Sequence, residues 1–372
     1  MLETRFIHRT VLLLFLLVGS VSCIMVEVDG AELEVVKEFT RERPGNLAVT
    51  PDGRVFFTVH ALTASKIQIR ELLKNGRTPP FPSLDWAQKP TEPGSKGIVK
   101  TIGIKASSQG DIWVLDMGEL PLFEPALIQF DSKKRTFKRK IMIPKEYLGD
   151  HPFLQDFVLD EKRNKIYIAD MDFNQEKGKS EKPAIIVVDV TDGKIRRALE
   201  ADPTMMPDQE PIVVNSKEIA SVNSKGETIT HYYGLNPITI DPANEWVYYG
   251  AMSGKKVYRL PAEELAKFNS NQTTLSKSIE EYGPKPFSDG ILVDDKGNVY
   301  ITDIISSAIG VTTPSSYRVL YQDKKRLPWP DGFALHDNQL YIVANELNTL
   351  PGLNKGKDES TPPFYIHRIS IK

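Results

Sequence analysis

Six segments of this chain share one layout, and in each a residue stands about seven positions before a tight turn. These residues are Asn46, Ile102, Asp156, Asn236, Asp289 and Asp331. Five of them are polar and three are carboxylic acids. Carboxylates brought together away from water repel one another, so such a group either takes up protons or holds a cation. Two amide oxygens beside them would extend an all-oxygen set of the kind that suits Ca²⁺ or another hard divalent cation. Aromatic side chains lie close to these positions in sequence: Phe153, Tyr232, Tyr233, Phe287, Trp329 and Phe333. Around a negative site they would favour an aromatic or amine ligand.

Local catalytic motifs are missing. The chain has no HExxH, CxxC, GxSxG or P-loop, and its histidines are scattered, with His60, His151, His231 and His336 reading as strand-end or loop residues. Chemistry must therefore come from residues that the fold gathers. The competing reading of each Asp or Asn is a turn cap that bonds its own backbone, as Asp289-Gly290 and Asp331-Gly332 would allow. Asp156 before Phe157 is not explained that way. A second column, Asp116, Asp170 and Asp303, ends strands and reads as structural, satisfying loop backbone groups between neighbouring blades.

The elements that would gather the first column are legible as a repeat. Its copies are GNLAVTPDGRVFFTV (45–59), IGIKASSQGDIWVLD (102–116), DFVLDEKRNKIYIAD (156–170), NPITIDPANEWVYYG (236–250), DGILVDDKGNVYITD (289–303) and DGFALHDNQLYIVAN (331–345). Each alternates apolar and polar residues with the period of a half-buried strand. Each turns at residues that tolerate positive φ: Asp52-Gly53, Gln109-Gly110, Arg163-Asn164, Asn244, Lys296-Gly297 and Asp337-Asn338. Outer strands follow at 184–190, 256–260 and 316–321. The spacing fits four-stranded blades and predicts an all-β, six-bladed β-propeller occupying residues 32–372 as one domain. The regular repeat argues against a β-sandwich or two small β domains. The strand at 33–39 is expected to pair into the blade that ends at 364–371, hiding an exposed edge. Residues 201–231, 269–277 and 350–361 read as polar surface loops, the second holding the Asn271-Gln272-Thr273 sequon.

Composition narrows the class further. Hydrophobic residues at 40% and charged residues at 26% are globular values. Lys+Arg 47 against Asp+Glu 49 leaves no basic excess, so a nucleic-acid partner is not expected. Residues 1–22 combine basic residues, the apolar run VLLLFLLV and small residues, which is the pattern of a secretory signal peptide. The run is too short to span a bilayer, and the mature chain is expected to carry no transmembrane helix. A secreted or periplasmic location follows. Cys23, the only cysteine, stands where a bacterial lipoprotein would be lipidated, but Ser20 does not suit that signal. No disulfide is therefore available to the domain.

The ordered segments GNLAVTPDGRVF, GIKASSQGDIWVLDMGE, LQDFVLDEKRNKIYIAD, YYGLNPITIDPANEWVYYGAMSGKKVYRLP, FSDGILVDDKGNVYITD and WPDGFALHDNQLYIVAN resemble the major royal jelly protein/Yellow family, in its bacterial form. The resemblance implies a six-bladed propeller, export, and either dopachrome conversion or binding of amines at the channel mouth. A more distant similarity is to the gluconolactonase/senescence-marker propellers, which hold a divalent metal through Glu, Asn and Asp. Asn236 and Asp289 fall where that Asn and Asp would sit, whereas Asn46 stands in place of the Glu. The expectation is a small-molecule site, for an amine or phenol, formed by Asn46, Asp156, Asn236, Asp289, Asp331 and Phe333. The alternative is a metal-dependent lactonase or a tautomerase on the same ring, with Asn236 and Asp289 as metal ligands.

Overall fold

The computed structural model describes residues 32–371; the predicted signal peptide and Cys23 lie outside them. Six sheets stand around one axis, each antiparallel. From the axis outwards, the first blade is Pro44–Val49, Val55–Val59 and Ile69–Leu72. The second is Thr101–Ala106, Asp111–Asp116, Ala126–Asp131 and Thr136–Met142. The third is Leu154–Asp160, Lys165–Asp170, Ala184–Asp189 and Ile195–Ala198. Leu235–Ile240, Trp246–Ala251, Lys256–Pro261 and Glu280–Pro284 make the fourth. The fifth is Ser288–Val293, Val299–Asp303, Ala308–Thr313 and Ser316–Gln322. The sixth is Pro330–His336, Gln339–Ala344 and Phe364–Ser370, completed on the outside by Glu34–Phe39. Each inner strand packs on the next, and the last packs on the first.

The turn chemistry read from the sequence is realised in the backbone. Gly53, Gly110, Asn164, Asn244, Gly297, Asp337 and Asn338 all have positive φ. Closure also follows expectation. Glu34–Phe39 pairs antiparallel with Phe364–Ser370, Phe39 opposite Phe364 and Glu34 opposite Arg368. The exposed Arg368–Glu34 ion pair adds little in water. The buried cluster of Phe39, Leu47, Phe57, Val343, Phe364 and Ile366 contributes more, because apolar area leaves water there. Arg43 reinforces the seam: it is buried, lies 4.0 Å from the Phe364 ring centroid and donates to the carbonyl oxygens of Asn345 and Glu346.

Three expectations need correction. Within 269–277, read as a loop, the helix Gln272–Lys277 forms with Leu275 buried. The first blade has three strands, not four. After Leu72 the chain carries Pro79, Pro80 and Pro82, which cannot donate to a ladder, so only isolated bridges form there. Phe81 covers that edge instead, 4.6 Å from the Phe56 ring. The segment 201–231 is not a plain surface loop either. It folds two hairpins, Val213–Val214 with Lys217–Glu218 and Ala220–Val222 with Thr228–Thr230. Its Ile212, Val214 and Ile219 are buried with Trp329, Leu347 and Leu350 over one end of the axis.

All six inner strands are irregular at the same place. Their registers slip by one residue at Pro44/Leu47, Thr101/Ile104, Leu154/Asp156, Leu235/Ile238, Ser288/Ile291 and Pro330/Phe333. A bulge of this kind bends the strand and re-aims its side chains. Its freed N–H groups need partners, and Thr302 Oγ1 accepts from both Asp289 (3.1 Å) and Gly290 (2.8 Å). Thr58 does the same for Asn46 at 2.9 Å. At the bulge neighbouring backbones nearly touch. A Cβ on Gly290 would collide with the Asp331 carbonyl oxygen, which is rigid backbone. Gly290→Ala should therefore lower unfolding free energy by about 3 kcal/mol in urea melts. Gly352→Ala, where a Cβ meets nothing within 4 Å, should change it by less than about 1 kcal/mol. Equal effects at the two sites would refute crowding at the axis.

Candidate functional site

The bulges place the sequence-predicted residues in different surroundings. Asp289, second in its strand, is held from three blades. Its Oδ1 accepts from Asn236 Nδ2 at 2.6 Å and Gln155 Nε2 at 2.8 Å, and its Oδ2 accepts from Trp329 Nε1 at 2.7 Å. Trp329 is fully buried and sits at φ 55°, a conformation rare for a bulky residue. Packing and the bond to Asp289 hold it there.

Asp156 and Asp331 are drawn in nearby but are bound differently. Asp156 pairs with Lys105 Nζ at 2.9 Å and accepts from its own neighbour Phe157 N at 2.9 Å. Asp331 accepts from Asn345 Nδ2 at 2.6 Å, with His60 Nε2 3.8 Å away. Leu62 N donates to His60 Nδ1 at 3.1 Å, so the neutral ring carries its proton on Nε2. Burial, then repulsion from Arg43, pushes the His60 pKa down to about 3. Asn46 turns back on its strand and accepts from Leu47 N at 2.8 Å. Phe333 is not with the others. It packs between the fifth and sixth blades and lines the far end of the channel with Leu47, Val158 and Ile291.

A cavity of about 400 Å³ opens over Asp289. Its polar floor includes His60, Gln155 and Asp289, beside Ile102 and Trp329. Phe153, Met171, Phe173, Tyr233 and Met252 form an apolar wall. Leu347, with Leu350 and Leu353 from the 350–361 stretch read as a polar loop, closes it with the hairpin at 220–230. Of the six aromatics singled out by sequence, Phe153, Tyr233 and Trp329 reach this cavity, and Phe287 packs in the apolar cluster behind it. Gln155 and Ser221, which carried no signal in the sequence, also line it, as does His231, read there as a strand-end or loop residue.

Burial dominates the electrostatics. It raises the Asp289 pKa to about 6; its three N–H donors pull the other way, and the Asp156 charge adds to the rise. Asp331 is raised well above the usual carboxylate range, by burial and then by the Asp289 charge. Asp156 is raised by burial against the pull of Lys105. Of the two fates for clustered carboxylates, burial favours proton uptake at Asp331, while Asp289, with its pKa at about 6, is ionised at neutral pH. The donor set is poor for Ca²⁺, which takes about six to eight oxygens. Both Asp289 oxygens face N–H groups, one an indole that cannot turn an acceptor, and beside them Asn236 Oδ1 stands unpartnered. Among the described residues no three His, Cys, Asp or Glu side chains are grouped to hold a metal.

The second aspartate column is structural, with one change. Asp116 accepts from Val99, Lys100 and Gly118 N, and Asp170 from Phe153 and Asp172 N. They tie the loops entering and leaving their own blade, not loops of neighbouring blades.

The sequence pattern of the family described as major royal jelly protein matches residues 99–365. The chain belongs to that family. No curated protein sequence matches it significantly. Solved structures share the fold at low identity. A gluconolactonase from Xanthomonas campestris superposes with TM-score 0.54 and 9% identity, covering 93% of this chain and 91% of its own. A luciferin-regenerating enzyme gives 0.52 and 12%, covering 92% and 96%. The PQQ-bound aldose sugar dehydrogenase of Streptomyces coelicolor gives 0.52 and 11%, covering 92% and 98%. At such identities the likeness is one of fold. Among the described residues no helix is long and apolar enough to cross a membrane.

Asp289 makes stability depend on pH. A carboxyl whose pKa is raised by folding contributes fully below its unfolded value and loses that contribution as pH rises through its folded value. From pH 4 to 7 the wild type should lose about 2–3 kcal/mol relative to Asp289→Asn, a shift of about two pH units at 1.36 kcal/mol each. Urea melts across this range check it. A constant difference between the two proteins would mean that Asp289 does not titrate there.

Proposed function

We propose that this member of the major royal jelly protein family is an exported binding protein that takes a small aromatic amine in the channel-mouth cavity. The ammonium faces Asp289 and the ring lies among Trp329, Phe153 and Phe173. The observation that carries this reading is a buried carboxylate at the floor of an apolar, aromatic-lined cavity. A carboxylate offers about four acceptor sites, and three N–H donors occupy Asp289, leaving room for one more. A cation there offsets the repulsion from Asp156 and Asp331, and stacked rings stabilise it further. The three donors keep the carboxylate in place before the ligand arrives, so little ordering remains to oppose binding.

Binding should weaken in acid. An ammonium ligand needs ionised Asp289, and below pH about 6 the proton competes with it. Isothermal titration with tyramine should show Kd rising about fivefold from pH 6 to 5 and steepening towards about tenfold per pH unit below that. Asp289→Asn should lose tyramine and keep 4-ethylphenol, which has the ring without the charge. Tyramine bound equally well by Asp289→Asn, or no binding at millimolar tyramine, would overturn the reading.

A further inference from the structure

The wall of the cavity carries a polar string that an amine at Asp289 leaves unused. Ser221 Oγ lies 2.8 Å from His231 Nε2, and His231 Nδ1 lies 2.6 Å from Tyr233 Oη. All three residues line the cavity. We propose that Ser221 and His231 form a nucleophile–base pair that hydrolyses small carboxylic esters or lactones bound in the cavity, with Tyr233 as a positioning residue. The inference rests on the cavity and not on the amine reading.

The geometry is that of an activated hydroxyl: nucleophile within hydrogen-bond reach of a base, and base oriented by a third group. The parts sit on rigid supports. Ser221 is central in Ala220–Val222, opposite Ile229, and Ala220 N donates to Leu353 O at 3.1 Å. His231 N donates to Ile219 O at 3.1 Å, and the ring is held edge-on between Phe173 (5.1 Å) and Tyr233 (5.4 Å). Beyond the strand, Ser224 Oγ donates to Glu176 at 2.7 Å and ties down the hairpin tip. Burial lowers the His231 pKa to about 4, so at neutral pH the ring is uncharged and one ring nitrogen is free to accept from the Ser221 hydroxyl. Burial also keeps the Tyr233 phenol protonated. In the tautomer that leaves Nε2 free, Nδ1–H donates to Tyr233 Oη.

The chemistry balances without a cofactor. Ser221 Oγ bonds to the carbonyl carbon while its proton passes to His231 Nε2. The C–O bond to the alcohol then breaks, and the alcohol leaves with that proton. Water attacks the acyl-serine, giving its proton to His231, and the carboxylic acid departs as Ser221 is restored. In a lactone, acid and alcohol are two ends of one product. The apolar wall and the volume of about 400 Å³ favour a compact ester or lactone with an aromatic or aliphatic body.

The test uses the full chain and p-nitrophenyl acetate. A burst of p-nitrophenolate should match the protein concentration, with one acetyl group on the peptide that contains Ser221. Ser221→Ala should abolish the burst, Ser221→Cys should retain it, and His231→Gln should slow it at least tenfold. Tyr233→Phe should lower kcat with KM unchanged, as a positioning role requires. Acetyl found only on other residues, or an undiminished burst in Ser221→Ala, would overturn the proposal. Tyramine titration of Ser221→Ala separates the two readings: retained binding with a lost burst assigns the loss to the nucleophile. A burst in a wild type that ignores tyramine would support the hydrolase while the amine reading fails.

Discussion

Six strands meeting at one axis cannot all run as regular ladders, and that crowding organises the rest of the molecule. The bulge near the start of each inner strand brings the Asp331 carbonyl against Gly290 and the Asn46 side chain against Gly332, where even a methyl group would strike the neighbour. It also breaks the alternation of side chains, so adjacent residues such as Gln155 and Asp156 both turn towards the axis region. Thr58 and Thr302 accept the N–H groups that the bulges release. Fold and site therefore share one cause. The irregularity that lets the ring close is what delivers polar side chains to its mouth.

Concentrating three aspartates there has an electrostatic cost, and the neighbours determine how each one meets it. Lys105 neutralises Asp156, Asn345 bonds Asp331, and three uncharged N–H groups hold Asp289. Neutral donors stabilise a carboxylate without cancelling its charge, so burial raises the pKa of both Asp289 and Asp331, and Asp289 is the one that lines the cavity. Such a site must also be kept dry. Ile212, Val214 and Ile219 and the Leu347–Leu353 stretch do this by packing as a small second core over the channel mouth, and Ala220 N, donating to Leu353 O, ties the hairpin at 220–230 to it. That cover carries Ser221 and His231 into the same space, so its apolar packing and its polar string are parts of one structure.

Much of the architecture was legible because the propeller repeats itself. Apolar alternation located the strands, and Gly53, Asn164 and Asn244 marked turns whose positive φ the fold then used. The closing strand was legible because an open blade edge demands a partner. The site was read less fully. Asp289, Asn236 and Trp329 come together, but Asn46 bonds its own backbone, and Phe333 lies at the far end of the channel. Register counted from the turn assumes an unbroken ladder, and a one-residue slip reverses which face a side chain occupies. The cover over the mouth was misread as loop because its buried residues, Ile212, Val214 and Ile219, fall in pieces too short to show a period.

By itself, then, the chain determined the blades, their turns, their closure and the family, since these follow from local alternation and recurrence. Only the tertiary structure decided which of the ringed polar residues meet and what they bond. Asp289 takes its character from Gln155, Asn236 and Trp329, which are 134, 53 and 40 residues away. Ser221 and His231, ten residues apart, meet because a hairpin folds there, and they line the cavity because Ala220 pairs with the Leu353–Lys355 stretch that lies over the axis. Hydrogen bonds and desolvation act over a few ångströms, and it is the closure of the ring that brings such distant residues within that range.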